Sequence, residues 1–167
     1  MSAGEERLGH LSEWARKRPS SIEFWELFLT SERLIWCFVG ETFSSALLRA
    51  DMGERRRATL EERTIEELAE DDERNFSIPV AALERVRLVR GTRFRRARIE
   101  IEWDDEPGAM TLYNTKAGDE QTALFERLAE ERALEGVSIE IEAPSSLFQL
   151  LRPGSERTDS GDAGNGA

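Results

Sequence analysis

The chain has 167 residues, 39% of them hydrophobic, and 34 acidic against 23 basic side chains give a net charge of −11. That is enough for one hydrophobic core plus a tail, and the acidity speaks against a nucleic-acid coat, which needs a basic footprint. One cysteine (Cys37) and one histidine (His10) exclude an internal disulfide, a zinc site built on Cys and His, and, with no nucleophile elbow, a Ser-His-Asp triad.

No glycine-rich phosphate loop is present, and no apolar run approaches the roughly 20 residues of a membrane-spanning helix. The polar segment Met1 to Arg7 has no signal-peptide apolar stretch, so the chain reads as cytoplasmic. Only Lys17 and Lys116 are lysines. Many acids with few lysines resemble the proteins of salt-accumulating archaea. A GC-rich genome, whose codons favour arginine, produces the same bias.

Residues 5–17 space Leu8, Leu11, Trp14 and Ala15 as a short helix does, with Pro19 ending it. Residues 1–21 are therefore expected to form a helical flap. From Ile22 to Val39, two apolar runs flank the polar turn Thr30-Ser31-Glu32-Arg33. Pairing Leu29 with Leu34 sets Leu27 opposite Trp36 and Trp25 opposite Phe38, all on one core face. The other face carries Phe24, Glu26, Phe28, Ile35, Cys37 and Val39, too apolar for open solvent. Its cover is the N-terminal helix, the next segment or a partner. Phe24, Phe28 and Ile35 are thus the candidate partner interface, for another protein or a second copy of this chain. Glu26 is expected to pair with a nearby arginine such as Arg33, and Cys37 to be a small buried hydrophobe.

Residues 44–74 form an acidic, partly helical insertion. Thr59 and Glu62 spell a capping box for a helix of about 60–72, with Leu60, Ile65, Leu68 and Ala69 on one side and a solvated acidic face on the other. Phe76 to Val80 reads as a short edge strand, since Pro79 donates no ladder bond. Leu83 to Val89 and Phe94 to Trp103 flank Gly91-Thr92, the mark of a type II′ hairpin turn. The acidic turn Asp104 to Gly108 lacks the spacing of a calcium loop, and no metal site is assigned. Ala109 to Asn114 is a further strand. Residues 119–135 read as a helix with Leu124, Phe125, Leu128 and Ala129 on one face and Gly136 as its C-cap. Val137 to Glu142 alternates as a last strand. Residues 143–167 form a tail, expected to be disordered from about 152, where Gly, Ser and Asp dominate.

A run of antiparallel strands followed by a C-terminal helix is α+β. Leu29-Thr30-Ser31-Glu32-Arg33-Leu34-Ile35 resembles the first hairpin of bacterial-type pleckstrin-homology (PH) and GRAM-like domains, which tend to read Leu-Thr, two polar residues, Arg-Leu-Ile. Ile78-Pro79-Val80-Ala81-Ala82-Leu83-Glu84-Arg85-Val86 is similar to their later Ile-Pro-Leu segment. The resemblance covers roughly residues 22–134. It implies a PH-like domain over 22–142: a bent antiparallel sheet or barrel capped by the 119–135 helix. The N-terminal helix, the 44–74 insertion and the strand after the capping helix depart from the family pattern. Domains of this kind bind lipid headgroups, peptides or proteins, or serve as scaffolds, so the resemblance names no ligand.

The charge is uneven. Residues 75–103 hold seven arginines against Glu84, Glu100 and Glu102, a net of +4 inside an acidic protein. A hairpin turning at Gly91-Thr92 pairs Arg90 with Arg93, and so sets Arg87 opposite Arg96 and Arg85 opposite Arg98. Arg85, Arg87, Arg96 and Arg98 then form a square on one side of two strands. Like charges directly opposite cost up to about 1 kcal/mol per pair. Such a square is either an anion or lipid-headgroup site, since the guanidinium fork grips phosphate, or it is neutralised internally by Glu100, Glu102 or the acidic helix. Aromatic residues around it are too few for a single-stranded nucleic-acid groove. No cofactor and no catalytic residue is assigned. The expectation is a non-enzymatic PH-like interaction or scaffold module for a protein partner. The competing expectation is peripheral membrane or anionic-ligand binding through the four arginines.

Overall fold

The computed structural model describes residues 4–42, 50–106, 108–117 and 121–143. The expected tail beyond 143 and the start of the 44–74 insertion lie outside them. Among the described residues, eight strands make one mixed sheet: β1 (Arg7–Lys17), β2 (Ile22–Thr30), β3 (Arg33–Thr42), β4 (Phe76–Pro79), β5 (Leu83–Val89), β6 (Arg96–Trp103), β7 (Ala109–Ala117) and β8 (Ser138–Glu142). The same residues hold three α-helices: α1 (Ala50–Glu61), α2 (Ile65–Glu70) and α3 (Thr122–Ala129). The strand order is β4-β3-β2-β1-β7-β6-β5-β8, with β4 and β8 as the two open edges. The fold is α+β.

Two antiparallel meanders, β1 to β4 and β5 to β7, meet along a short seam where Trp14 faces Asn114 and Ala15 faces Tyr113. The apolar sides of both meanders share one core. It contains Trp14, Trp25, Leu27, Trp36, Leu88, Ile99, Ile101, Trp103 and Leu112, with Phe125 and Leu128 of α3 inserted between them. α3 packs on β1 and β8. Gly9 allows the close approach: a Cβ there would stand 3.1 Å from Leu124 Cδ1 and 3.3 Å from Leu128 Cδ2.

The β2–β3 hairpin has the register read from the sequence, with Leu29 opposite Leu34, Leu27 opposite Trp36 and Trp25 opposite Phe38. β4 lies at the sheet edge, where Pro79 leaves no ladder donor unmet. β8 forms as expected and runs parallel to β5.

Three expectations need correction. The N-terminal segment is a strand, not a helix. The register of β1 on β2 shifts between Arg7 and Gly9 and again between Leu11 and Trp14. Each shift inserts an extra residue, so side chains three apart return to the same face and imitate a helical repeat. Second, the insertion holds two helices, and the capping box that forms is Thr64 with Glu67 at the start of α2, not Thr59 with Glu62. Thr59 lies inside α1, and its hydroxyl donates to the Arg55 carbonyl. Third, α3 ends at Ala129, and a 3₁₀ turn at Arg132–Leu134 follows, so Gly136 does not cap it. A continued helix would carry Leu134 about 120° away from Leu128. The tighter turn brings Leu134 and Val137 into the core.

The outer face of the first hairpin is covered by its own chain. α1 and α2 pack on β3, and Phe28, Ile35 and Cys37 form a second, smaller core with Leu60 and Leu68. Asn75 ties α2 down: its Nδ2 donates to the Leu68 carbonyl at 2.8 Å, and its Oδ1 accepts from the Phe38 N–H at 2.8 Å. Arg7 donates to the carbonyls of Glu61 and Arg63 at the C-terminal end of α1, where a cation also suits the helix dipole.

Candidate functional site

The arginine square does not form. β5 and β6 pair with Arg85 opposite Glu102, Arg87 opposite Glu100 and Val89 opposite Arg98. The pairing is four residues away from the one expected of a two-residue turn. An even slip leaves every side chain on the same face, so face alternation alone does not distinguish the two registers. Contact chemistry does. The observed register sets Leu88 on Ile99 and Val86 on Ile101, where the tighter hairpin would set them on Arg95 and Ala97. It also exchanges like-charge pairs for opposite-charge pairs.

The outward face of β6, β5 and β8 is consequently a ladder of acid, base and acid. Arg85 Nη2 donates to Glu102 Oε1 at 2.8 Å, and its Nη1 lies 3.6 Å from Glu140 Oε2. Arg87 donates through Nε to Glu100 Oε2 at 2.7 Å and through Nη1 to Glu142 Oε2 at 2.8 Å. Arg98 reaches the second oxygen of Glu100 at 3.3 Å. Partial burial pushes the Glu100 carboxyl up, but the Arg87 hydrogen bond and the charges of Arg87 and Arg98 outweigh it and hold Glu100 below its ordinary value. The hydrogen bond to Glu100 raises the Arg87 guanidinium. Arg85, Arg87 and Arg98 are therefore neutralised within the chain. Arg96 lies at the end of β6, its Nη1 donating to the Thr115 carbonyl at 2.6 Å.

The longer register leaves residues 90–95 as a loop. Thr92 shapes it: its N–H donates to the Arg95 carbonyl at 2.8 Å, and its hydroxyl accepts from the N–H groups of Phe94 and Arg95 at 3.2 and 3.0 Å. Arg93, Phe94, Arg95 and Arg96 are all exposed. Phe94 is 90% exposed, the one large hydrophobic side chain in that state among the described residues. Among those residues, Arg93 and Arg95 have no ion-pair partner. The sequence carried a signal for this tip: residues 85–98 hold seven arginines and no acid, and a phenylalanine sits among them. A two-residue turn at Gly91-Thr92 would set Phe94 within a strand, whereas β6 starts only at Arg96 and leaves Phe94 in the loop.

A second polar cluster lies under α1. Glu26, fully buried on the otherwise apolar face of β2, does not pair with Arg33, which is held by Glu5 at 2.9 Å. Glu26 instead accepts from His10 Nε2 at 2.9 Å, from Ser12 Oγ at 3.1 Å and from the Glu13 N–H at 3.2 Å. Arg57 of α1 closes the set, its Nε 2.5 Å from Glu26 Oε1. The β1 bulge aims these donors, and Glu13 takes φ +67° within it. The His10 ring stacks on Phe28 with centroids 4.2 Å apart, and its Nδ1 lies 3.4 Å from Glu61 of α1. Both Glu26 oxygens are thus occupied by internal donors, and the cluster serves to clamp α1 to the sheet.

Of the candidate partner interface, Phe28 and Ile35 are 0% exposed beneath α1 and α2, and Phe24 is half-buried. The helices occupy the place expected of a partner, because the apolar sides of Leu60 and Leu68 match that face. Among the described residues, no group of three or more His, Cys, Asp or Glu side chains could hold a metal ion, and no helix is long and apolar enough to cross a membrane.

Comparison with protein-family models, with curated proteins and with solved structures finds no match to this chain.

Proposed function

We propose that the protein is a cytoplasmic, non-enzymatic, PH-like binding module that engages an anionic, phosphate-bearing partner through the tip of the β5–β6 loop. The observation that carries this reading is the exposed sequence Arg93-Phe94-Arg95-Arg96 on a chain of net charge −11. Arg85, Arg87 and Arg98 of the expected square are each offset by a glutamate, whereas Arg93 and Arg95 have no acid against them among the described residues. An acidic protein that keeps an unneutralised cationic tip places it where an anion is met. Guanidinium groups suit phosphate, which they bind with two parallel hydrogen bonds.

What supports the PH-like reading is the pair of antiparallel meanders bent about one core with α3 inserted in it. What supports a binding role over catalysis is Glu26, the buried carboxylate best placed for acid-base work, whose oxygens are taken up by His10, Ser12, the Glu13 N–H and Arg57. A protein-partner role through Phe28 and Ile35 loses its surface to α1 and α2.

Elution from a phosphocellulose matrix under rising salt tests the reading. The full chain is expected to be retained in spite of its net charge, and the triple variant Arg93→Gln, Arg95→Gln, Arg96→Gln to pass through. Equal elution of the two would overturn it.

A further inference from the structure

We infer that the phosphate-bearing partner is an anionic lipid surface, with Phe94 entering the boundary between headgroups and acyl chains while Arg93, Arg95 and Arg96 take the surrounding lipid phosphates. This rests on the anionic-partner reading above and adds the apolar half of the contact.

Phe94 is the observation that selects a membrane. A soluble phosphate or a phosphorylated side chain needs only converging donors, and a 90% exposed phenylalanine at their centre contributes nothing to holding it. A bilayer interface uses both. Aromatic rings settle at headgroup depth, and arginines buried along their stems keep their charged ends among phosphates. The order Arg93-Phe94-Arg95-Arg96 surrounds one apolar side chain with three cations in the shortest possible span. The loop is also shaped in advance. The Thr92 hydroxyl holds the N–H groups of Phe94 and Arg95, and the Arg96 guanidinium is fixed to the Thr115 carbonyl. Less ordering is then required when the tip meets its partner.

The rest of the surface sets the orientation. The acid, base and acid ladder of Glu102, Arg85 and Glu140 and of Glu100, Arg87 and Glu142 covers the outer face of β6, β5 and β8. An anionic bilayer repels the acidic body and accepts only the tip. Each arginine near such a surface strengthens binding by roughly fivefold, and burying the phenylalanine by roughly tenfold or more. One ring and three cations give weak, reversible, salt-sensitive attachment rather than permanent anchoring.

The test is co-sedimentation of the full chain with vesicles of phosphatidylglycerol and phosphatidylcholine in equal parts, beside vesicles of phosphatidylcholine alone. Phe94→Ala and the triple Gln variant run in parallel, after thermal melts show both fold as the parent does. The parent is expected to sediment with the anionic vesicles alone. Phe94→Ala should bind them at least about tenfold more weakly, and the triple variant should not sediment. Parental binding by Phe94→Ala overturns the lipid inference and leaves the anionic-partner reading standing. So does release of the parent by millimolar inorganic phosphate, or failure to sediment by a protein that phosphocellulose retains. Undiminished vesicle binding by the triple variant overturns both.

Discussion

The indole rings of Trp36 and Trp103 lie 6.4 Å apart, although β3 and β6 are separated by β2, β1 and β7 in the sheet. In a flat sheet, four strand spacings would put them roughly 19 Å apart. The contact therefore measures how far the sheet bends on itself. From the same meander, Trp25 and Phe76 pack on Trp36 at ring separations of 5.9 and 5.1 Å, and Phe38 and Phe76 pack on Trp25 at 5.4 and 5.7 Å, so Trp103 is the side chain that brings the second meander into this aromatic group. Trp103→Ala is expected to cost about 3–5 kcal/mol, read as a lower urea midpoint. A loss below about 1 kcal/mol would mean that the two meanders are held together elsewhere.

Glu26 and Arg57 hold α1 on the sheet. Removing one partner of a buried pair leaves an uncompensated charge, which costs about 3–5 kcal/mol. Glu26→Gln should therefore destabilise the fold strongly and expose the α1–α2 segment to limited proteolysis. Glu26→Gln with Arg57→Met should recover part of the loss. Strictly additive single effects in that cycle would show that the two groups do not interact.

Cys37 is buried between β3 and α2, its Sγ 3.7 Å from the Leu68 carbonyl. Burial, reinforced by the charge of Asp71, pushes its thiol up from 9.0 to about 12. Because the folded value is the higher one, the unfolded chain loses its proton first as pH rises. Stability is undiminished below about pH 9 and falls between pH 9 and about 12, at up to about 1.4 kcal/mol per unit from this group. Cys37→Ala should flatten that limb of the pH profile. In native buffer near neutrality the thiol should react with a disulfide reagent only as fast as the protein opens. Rapid stoichiometric labelling would contradict its burial.

The register of β5 on β6 is open to a charge-swap test. Arg87→Glu places three carboxylates together at Glu100, Glu142 and the new side chain, and Glu100→Arg in the same chain restores an opposite pair. The swap should recover most of the stability lost in Arg87→Glu, on the order of 1 kcal/mol. If Arg87 faced Arg96 instead, Glu100→Arg would give no rescue.

Acid should act through the same ladder. Glu100, held below its ordinary value against burial by Arg87 and Arg98, contributes stability above the ordinary carboxylate range that is lost as pH falls through its folded value. Glu5, where the hydrogen bonds of Arg33 and Thr30 outweigh burial, follows the same sign. Glu100→Gln should make the acid limb of urea midpoint against pH shallower. An unchanged limb would mean that Glu100 gains nothing from its arginines.

Several of these features were legible in the chain before any tertiary structure. The β2–β3 hairpin was, because twelve alternating side chains and a short polar turn leave one register that keeps both apolar sets in place. Pro79 declared an edge, and the alternation of residues 138–142 declared a strand. The candidate site was legible only as a region: the arginines between 85 and 98 were visible, but which of them meet glutamate was not.

What the sequence by itself determined is whatever depends on side-chain period: which residues face inward and where a ladder cannot continue. What only the tertiary structure decided is whatever leaves that period unchanged. A four-residue slip of β6 on β5 keeps every face and exchanges every partner, so it turned an arginine square into an ion-pair ladder and released Arg93, Phe94, Arg95 and Arg96 as a tip. Bulges in β1 convert strand spacing into apparent helical spacing, so the strand that supplies His10, Ser12 and the Glu13 N–H to Glu26 looked like a helix. In both cases the deciding energy comes from contacts between segments far apart in the chain, and local spacing does not encode it.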